Sequence, residues 1–148
     1  MGEETGTSGP HRAAGYEIGV LLRRAHRKAA DAFNEVLRPL DIQGRHFGIL
    51  LLLHQHGPLS QRQLIDHLGS DKSAMVRSLD DLEARKLCIR KPAAHDRRAH
   101  AVALTPTGRE VFETAERDAR KVSVALLDGF TPAERLQFGQ FLTRFIAD

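Results

Sequence analysis

The chain has 148 residues, 41% of them hydrophobic and 28% charged, with a net charge of +3. It is long enough to bury a real core as one compact unit. One cysteine excludes an intrachain disulfide, the absence of tryptophan makes stacking on single strands a poor prospect, and the longest apolar run, residues 49–53, is too short to span a bilayer.

Residues 1–14 are polar and glycine-rich, without the apolar centre of a secretion signal, and read as a flexible tail on a cytoplasmic protein. Residues 16–38 read as a long helix. Ile18, Leu22, Ala25, Ala29, Phe33 and Val36 recur at three- and four-residue steps as one apolar stripe, and Pro39 ends it. A second helix, 44–56, turns Phe47, Leu50 and Leu51 inward and stops at Gly57-Pro58. Ser60-Gln61-Arg62-Gln63 is a capping box: Ser60 accepts from the amide three residues on, and Gln63 reaches back. The short helix it opens, 61–68, carries Leu64, Ile65 and Leu68 on one side.

Gly69-Ser70-Asp71 is a tight turn, and Ser70 or Asp71 caps the next helix. That helix runs to about Arg85, with Met75 or Val76, Leu79 and Leu82 inward. Two short apolar strands follow, 87–91 and 101–104, joined by a polar loop whose tip carries Asp96-Arg97-Arg98. Thr105 as N-cap and Pro106 in the first turn open another long helix, 106–128, with Val111, Phe112, Ala115, Ala119, Val122 and Leu126 inward. Thr131-Pro132-Ala133-Glu134 is a second capping box before a final helix holding Leu136, Phe138, Phe141, Leu142, Phe145 and Ile146. Those side chains exceed what so small a monomer needs to bury, and the surplus points to a second copy.

The fold class is therefore mainly α with a small β-hairpin. A basic hairpin directly after a helix-turn-helix is the layout of a winged helix, which makes double-stranded DNA the expected partner. Charge distribution agrees: between Asp71 and His100 there are eight Lys or Arg against five acids, a surplus equal to the whole net charge of +3.

From Ile42 to Thr114 the chain resembles the MarR family of winged-helix regulators. The matching residues are Leu64-Ile65-Asp66-His67-Leu68, Asp71-Lys72-Ser73, then Arg77, Asp80 and Leu82-Glu83, through Leu87 and Arg90. The family's wing signature stands as Asp96-Arg97-Arg98 and its closing Leu-Thr-x-x-Gly as Leu104-Thr105-Pro106-Thr107-Gly108. The last two motifs together, at this distance from the helix, are specific. Looser similarity runs through the outer helices. The resemblance implies a homodimer whose first, fifth and sixth helices form the interface, with two lobes on a pseudo-palindromic operator. It divides the chain into a winged-helix lobe, 42–104, and dimerisation helices, 15–40 and 106–148, within one unit. It also implies a response to a small ligand, often phenolic, or in some members to oxidation or zinc. Two departures stand out: Lys86 where the family usually has glycine, and Ala74 where a hydroxyl residue is common.

Ser73 and Arg77 lie one turn apart, opposite Val76 and Leu79, on a face that can enter the major groove, where arginine reads guanine. The bland reading is a solvated polar face. Lys72 is a phosphate contact by the same argument, and Ser60 at the neighbouring helix start is counted with the DNA contacts. Arg97 and Arg98 are either a soluble loop tip or arginines inserted in a narrow minor groove, with Arg98 preferred. Asp96 is expected to orient the wing by pairing with an arginine, Arg77 being the candidate.

Cys88 reads as a small core thiol rather than a redox sensor. His54-Gln55-His56 would point its rings about 200° apart on a helix, and no cysteine or carboxylate joins it at ligand spacing, so no metal site and no cofactor are expected. Arg24, His26 and His46 are the candidates for binding a small aromatic or phenolic effector, with Gly44 and Gly48 leaving room beside them; ordinary surface polarity is the alternative. No nucleophile elbow, phosphate loop or paired carboxylates suggest an enzyme. The expected function is sequence-specific DNA-binding regulation by a ligand-responsive repressor. The competing readings are a metal- or redox-responsive regulator of the same fold and a winged helix that serves interaction only.

Overall fold

A computed structural model of the chain describes residues 15–147, so the expected tail lies outside the described residues. Six helices and one hairpin follow in the order α1 (Gly15–Leu37), α2 (Gly44–His56), α3 (Gln61–Leu68), α4 (Lys72–Ala84), β1 (Cys88–Ala93), β2 (Asp96–Leu104), α5 (Pro106–Leu126) and α6 (Pro132–Ile146). A single 3-10 turn, Arg38–Leu40, links α1 to α2. The expected fold class holds.

Local chemistry sets the helix starts. Ser60 Oγ accepts the Gln63 N–H at 3.1 Å while Gln63 Oε1 accepts the Ser60 N–H at 2.9 Å. Thr131 and Glu134 repeat the arrangement at α6. Of the two candidates at α4, Asp71 is the cap: its Oδ1 accepts the Ala74 N–H at 2.8 Å. Gly69, in the left-handed region at φ +63°, ends α3 and makes the tight turn possible.

The core lies between α2, α4, the hairpin and α5, around Ile49, Leu50, Leu53, Met75, Leu79, Leu82 and Phe112. Fully burying a side chain of this size stabilises by about 1.5–3 kcal/mol. One inward face differs from expectation, and in another an open choice is resolved. In α2 the buried set is His46, Ile49, Leu50 and Leu53, while Phe47 and Leu51 are half-buried. Residues 49–53 are apolar on every side, so periodicity could not orient them. In α4, Met75 and not Val76 is buried, and Ser78 joins it through a bond from its hydroxyl to the Ala74 carbonyl at 2.9 Å.

The hairpin is longer than expected. Its strands pair antiparallel from Cys88 with Leu104 to Ala93 with Asp96, with a register shift after Pro92. No polar loop separates them; only Ala94 and His95 lie between the strands. Leu59 adds a third ladder position, exchanging both backbone hydrogen bonds with Val102 at 3.0 and 2.7 Å. The wing is thereby fastened to the residue just before the α3 cap.

The outer helices are incompletely covered. α1 packs on α5, but Tyr16, Ile18, Val20 and Leu21 at its start are exposed. α6 buries no residue, and Phe145 and Ile146 are 63% and 75% exposed.

Candidate nucleic-acid interface

The junction between α4 and the wing rests on three residues. After Ala84 the chain turns through Lys86, at φ +59°. The Leu87 N–H reaches the Leu82 carbonyl and the Lys86 N–H the Glu83 carbonyl, both at 2.9 Å. That pair of bonds is the Schellman cap, in which the left-handed position favours glycine. The left-handed turn therefore forms here with Lys86 in it. Thr105 Oγ1 donates to the Lys86 carbonyl at 2.6 Å and accepts the Gly108 N–H at 2.9 Å, capping α5 against the same turn. A Cβ on Gly108 would lie 1.8 Å from the Leu87 carbonyl oxygen, so no larger residue fits without moving the backbone. The Leu-Thr-x-x-Gly motif is therefore a packing device that fixes where the wing leaves α4.

A second tie joins the wing to α4. Arg90 on β1 donates its backbone N–H to Glu83 Oε1 at 3.0 Å, its Nη1 to the other Glu83 oxygen, and its Nη2 to Asp80 Oδ1 at 3.1 Å. Two of the three acids late in α4, Asp80 and Glu83, are thus paired with one strand residue. This is the orienting contact that was expected of Asp96. Asp96 instead folds onto its own strand: its Oδ1 accepts the Arg98 N–H at 2.8 Å, and it makes no pair with Arg77. The reason is reach, since a carboxylate two residues before an amide finds it locally.

The outward face of α4 carries Lys72, Ser73 and Arg77, all exposed, while Ser60 stands half-buried as the α3 cap. Arg97 and Arg98 are exposed at the start of β2 beside the two-residue turn, rather than in a loop. They fall in the bulge of β2 between the partners of Pro92 and Ala93, where the ladder is interrupted. Among the described residues, the side chains of Arg77, Arg97 and Arg98 make no ion pair.

The three effector candidates are not brought together. Arg24 and His26 are exposed on α1, with Arg24 on an open groove beside Leu21 and Asp31. His46 is 1% exposed. Its Nδ1 accepts the Gln43 N–H at 3.1 Å, completing a capping box at α2, and its Nε2 lies 3.3 Å from Asp81 Oδ2 on α4. Burial, with Arg45 adding, holds its pKa below the ordinary imidazole value, although the Asp81 bond opposes the shift. A neutral ring with Nε2–H donating satisfies both contacts. Gly44 and Gly48 open onto different neighbours: Gly44 faces the Asn34 side chain and Gly48 faces Leu68.

His54 lies against the Phe112 ring and near Arg109, and His56 stacks on His67. The Cys88 thiol is 1% exposed. Burial pushes its pKa up to about 12, with Glu83 adding and Arg90 opposing. Among the described residues no helix is long and apolar enough to cross a membrane.

Residues 40–99 match the MarR family model. The HTH-type transcriptional repressor NicR of Pseudomonas putida is 28% identical over 130 residues, which is 88% of this chain and 82% of that protein. Among solved structures, BpsR of Bordetella bronchiseptica, studied for regulation of its DNA binding by 6-hydroxynicotinic acid, superposes with a TM-score of 0.83 at 28% identity, covering 95% of this chain and 100% of that one. A cysteine-to-serine variant of MarR from E. coli, complexed with operator DNA, gives 0.81 at 25% identity, covering 88% and 94%.

Proposed function

Since this chain belongs to the MarR family of winged-helix transcriptional regulators, we propose that it acts as a homodimeric, ligand-released repressor of a pseudo-palindromic operator. The lobe of residues 42–104 carries the DNA contacts, and helices 15–40 and 106–148 join two lobes. The observation that carries the reading is the tie of Arg90 to Glu83 and Asp80. It fixes the wing beside α4 and pairs two of that helix's late acids, while Lys72, Ser73 and Arg77 remain outward groups.

Arg77 and Ser73 enter the major groove and read base edges, and Lys72 holds a phosphate. Ser60, whose Oγ accepts the Gln63 N–H, keeps its own hydrogen for a phosphate oxygen. Arg98 enters the minor groove. Asp96 shapes the start of β2 for that entry. The exposed apolar side chains of α1 and α6 are covered by the second copy, which sets the two α4 helices about 34–36 Å apart, one turn of DNA, or a small multiple of it. A small aromatic acid that prefers another spacing or another set of α4 must weaken DNA binding, and DNA must weaken the acid by the same factor. The relative whose DNA binding is regulated by 6-hydroxynicotinic acid supports this choice of ligand.

The test is Arg77→Ala against a duplex selected from a random pool and against its scrambled sequence. Loss of discrimination by about 1–3 kcal/mol per half-site supports base reading. Equal weakening on both duplexes refutes it.

A further inference from the structure

We propose that His100 on β2 is a further DNA contact, a phosphate ligand whose hold depends on its own protonation, so that operator binding takes up protons. The proposal rests on the DNA-binding reading above and adds to it a residue outside the motifs that flank the wing.

The register of the hairpin places the side chain. His100 stands opposite Pro92, and Val102 stands opposite Arg90. Directly opposed residues of an antiparallel pair share a face of the sheet, as do alternate residues along a strand. His100 therefore lies on the face that carries Arg90, Val102 and Cys88. Val102 and Cys88 are buried in one core with Leu79 and Leu82 of α4, and Arg90 reaches Asp80 and Glu83 of that helix. Two residues further out the same face leaves the core, and Pro92 and His100 are both exposed. His100 thus stands on the α4 side of the wing, between that helix and the hairpin turn.

A helix in the major groove and a wing in the adjacent minor groove straddle one sugar-phosphate strand, because a single backbone separates neighbouring grooves. A side chain between the two readers meets the phosphates of that strand. Among the described residues His100 makes no hydrogen bond, ion pair or ring contact, so its ring nitrogens are available. A neutral imidazole offers one N–H donor and a protonated one offers two and a charge. The groups around it favour an anion. Asp80 and Glu83 of α4 are both paired with Arg90 of β1. Lys91 of β1 turns to the opposite face by alternation. On β2 itself, Arg97 and Arg98 make no ion pair, and the Asp96 carboxylate is held by the Arg98 N–H at 2.8 Å. Leu59 and Ser60, which border β2 on its other edge, carry no charge. A phosphate beside the ring favours its protonated form, and by linkage protonation tightens DNA by the same factor.

The experiment follows binding of the full-length protein to a duplex selected from a random pool, between about pH 8 and pH 6, where imidazoles change charge, at constant ionic strength. The parent is expected to bind more tightly at the lower pH by about two- to fivefold per half-site, the worth of one exposed ion pair. Its salt slope should steepen by about one per half-site, and calorimetry in two buffers of different ionisation heat should register the protons taken up. His100→Gln keeps a neutral donor and should lose the pH dependence. His100→Arg should reach at the higher pH the affinity and slope that the parent reaches at the lower one. His95→Gln, in the hairpin turn beyond the ladder, should titrate as the parent does. Circular dichroism at each pH checks that every variant is folded. A parent affinity that is flat across this range, a dependence that survives in His100→Gln, or one lost in His95→Gln instead overturns the assignment. A parent that binds no duplex at any pH overturns the DNA-binding reading itself.

Discussion

Lys86→Gly should stabilise this protein, although it removes a side chain and adds none. Lys86 sits at φ +59° in the Schellman cap of α4, where its Cβ crowds the following carbonyl. A left-handed conformation costs a residue with a Cβ about 1–2 kcal/mol. Glycine removes that cost but brings a more disordered unfolded chain, worth about 0.4–1 kcal/mol in the other direction. The difference is a gain of about 0.5–1 kcal/mol, or about 1–4 °C in Tm for a chain of this size. Lys86→Ala is the control, since alanine retains the Cβ and should give no gain. Both variants are compared with the parent at one protein concentration, because a dimer's Tm depends on it, by thermal melting and by urea unfolding with the slope checked for constancy. A neutral or destabilising Lys86→Gly, or an equal gain from Lys86→Ala, would refute the strain argument and assign Lys86 a stabilising contact of its own.

Glu83→Ala removes the acceptor of the Arg90 backbone amide and its ion pair, both about one-third exposed. It should cost about 1–2 kcal/mol in urea unfolding after allowance for solvent, and it should weaken operator binding further because the wing loses its tie to α4; stability loss with unchanged DNA affinity would contradict the orienting role. His46 is held below its ordinary value of 6.5 by burial first and Arg45 second. Below pH 6.5 the unfolded chain takes a proton that the fold disfavours, so stability should fall as pH drops. His46→Gln keeps an acceptor for the Gln43 amide, and its stability should fall less between about pH 6.5 and 5; parallel profiles would show that His46 contributes nothing to the acid side. The Cys88 thiol, pushed up to about 12, should resist alkylation at pH 7 in the native state and react on unfolding; rapid native labelling would reopen the redox reading.

Most of what sequence made legible here was punctuation. The caps at Ser60, Thr105 and Thr131 act over three residues, so their chemistry is complete in the local sequence. The two motifs flanking the wing were legible as family markers, and the structure supplies their physics: Gly108 is needed because the Leu87 backbone occupies the space of its Cβ. Three things were not legible. The hairpin turn, Ala94-His95, carries none of the Gly or Asn signals of a two-residue turn, so the sequence there looks like loop where the chain is strand. The inward face of α2 is hidden because residues 49–53 are apolar all round. The polar ties of Arg90 to Glu83 and of His46 to Asp81 join residues 7 and 35 apart. Such partners are set by how elements pack, and periodicity does not carry that information. For the same reason Arg77 looks like a partner for Asp96, whose actual donor is an amide two residues away.

The most direct test of the account is the salt dependence of operator binding by the parent and by Arg98→Ala. If two wings insert arginines at β2, the variant should bind more weakly and the slope of log K against log salt should fall in magnitude by roughly one to two, one per half-site. The loss should be similar on duplexes of different sequence but similar groove width. Unchanged affinity and an unchanged slope would show that the wing never enters the groove, and the DNA-binding geometry proposed for this fold would be wrong.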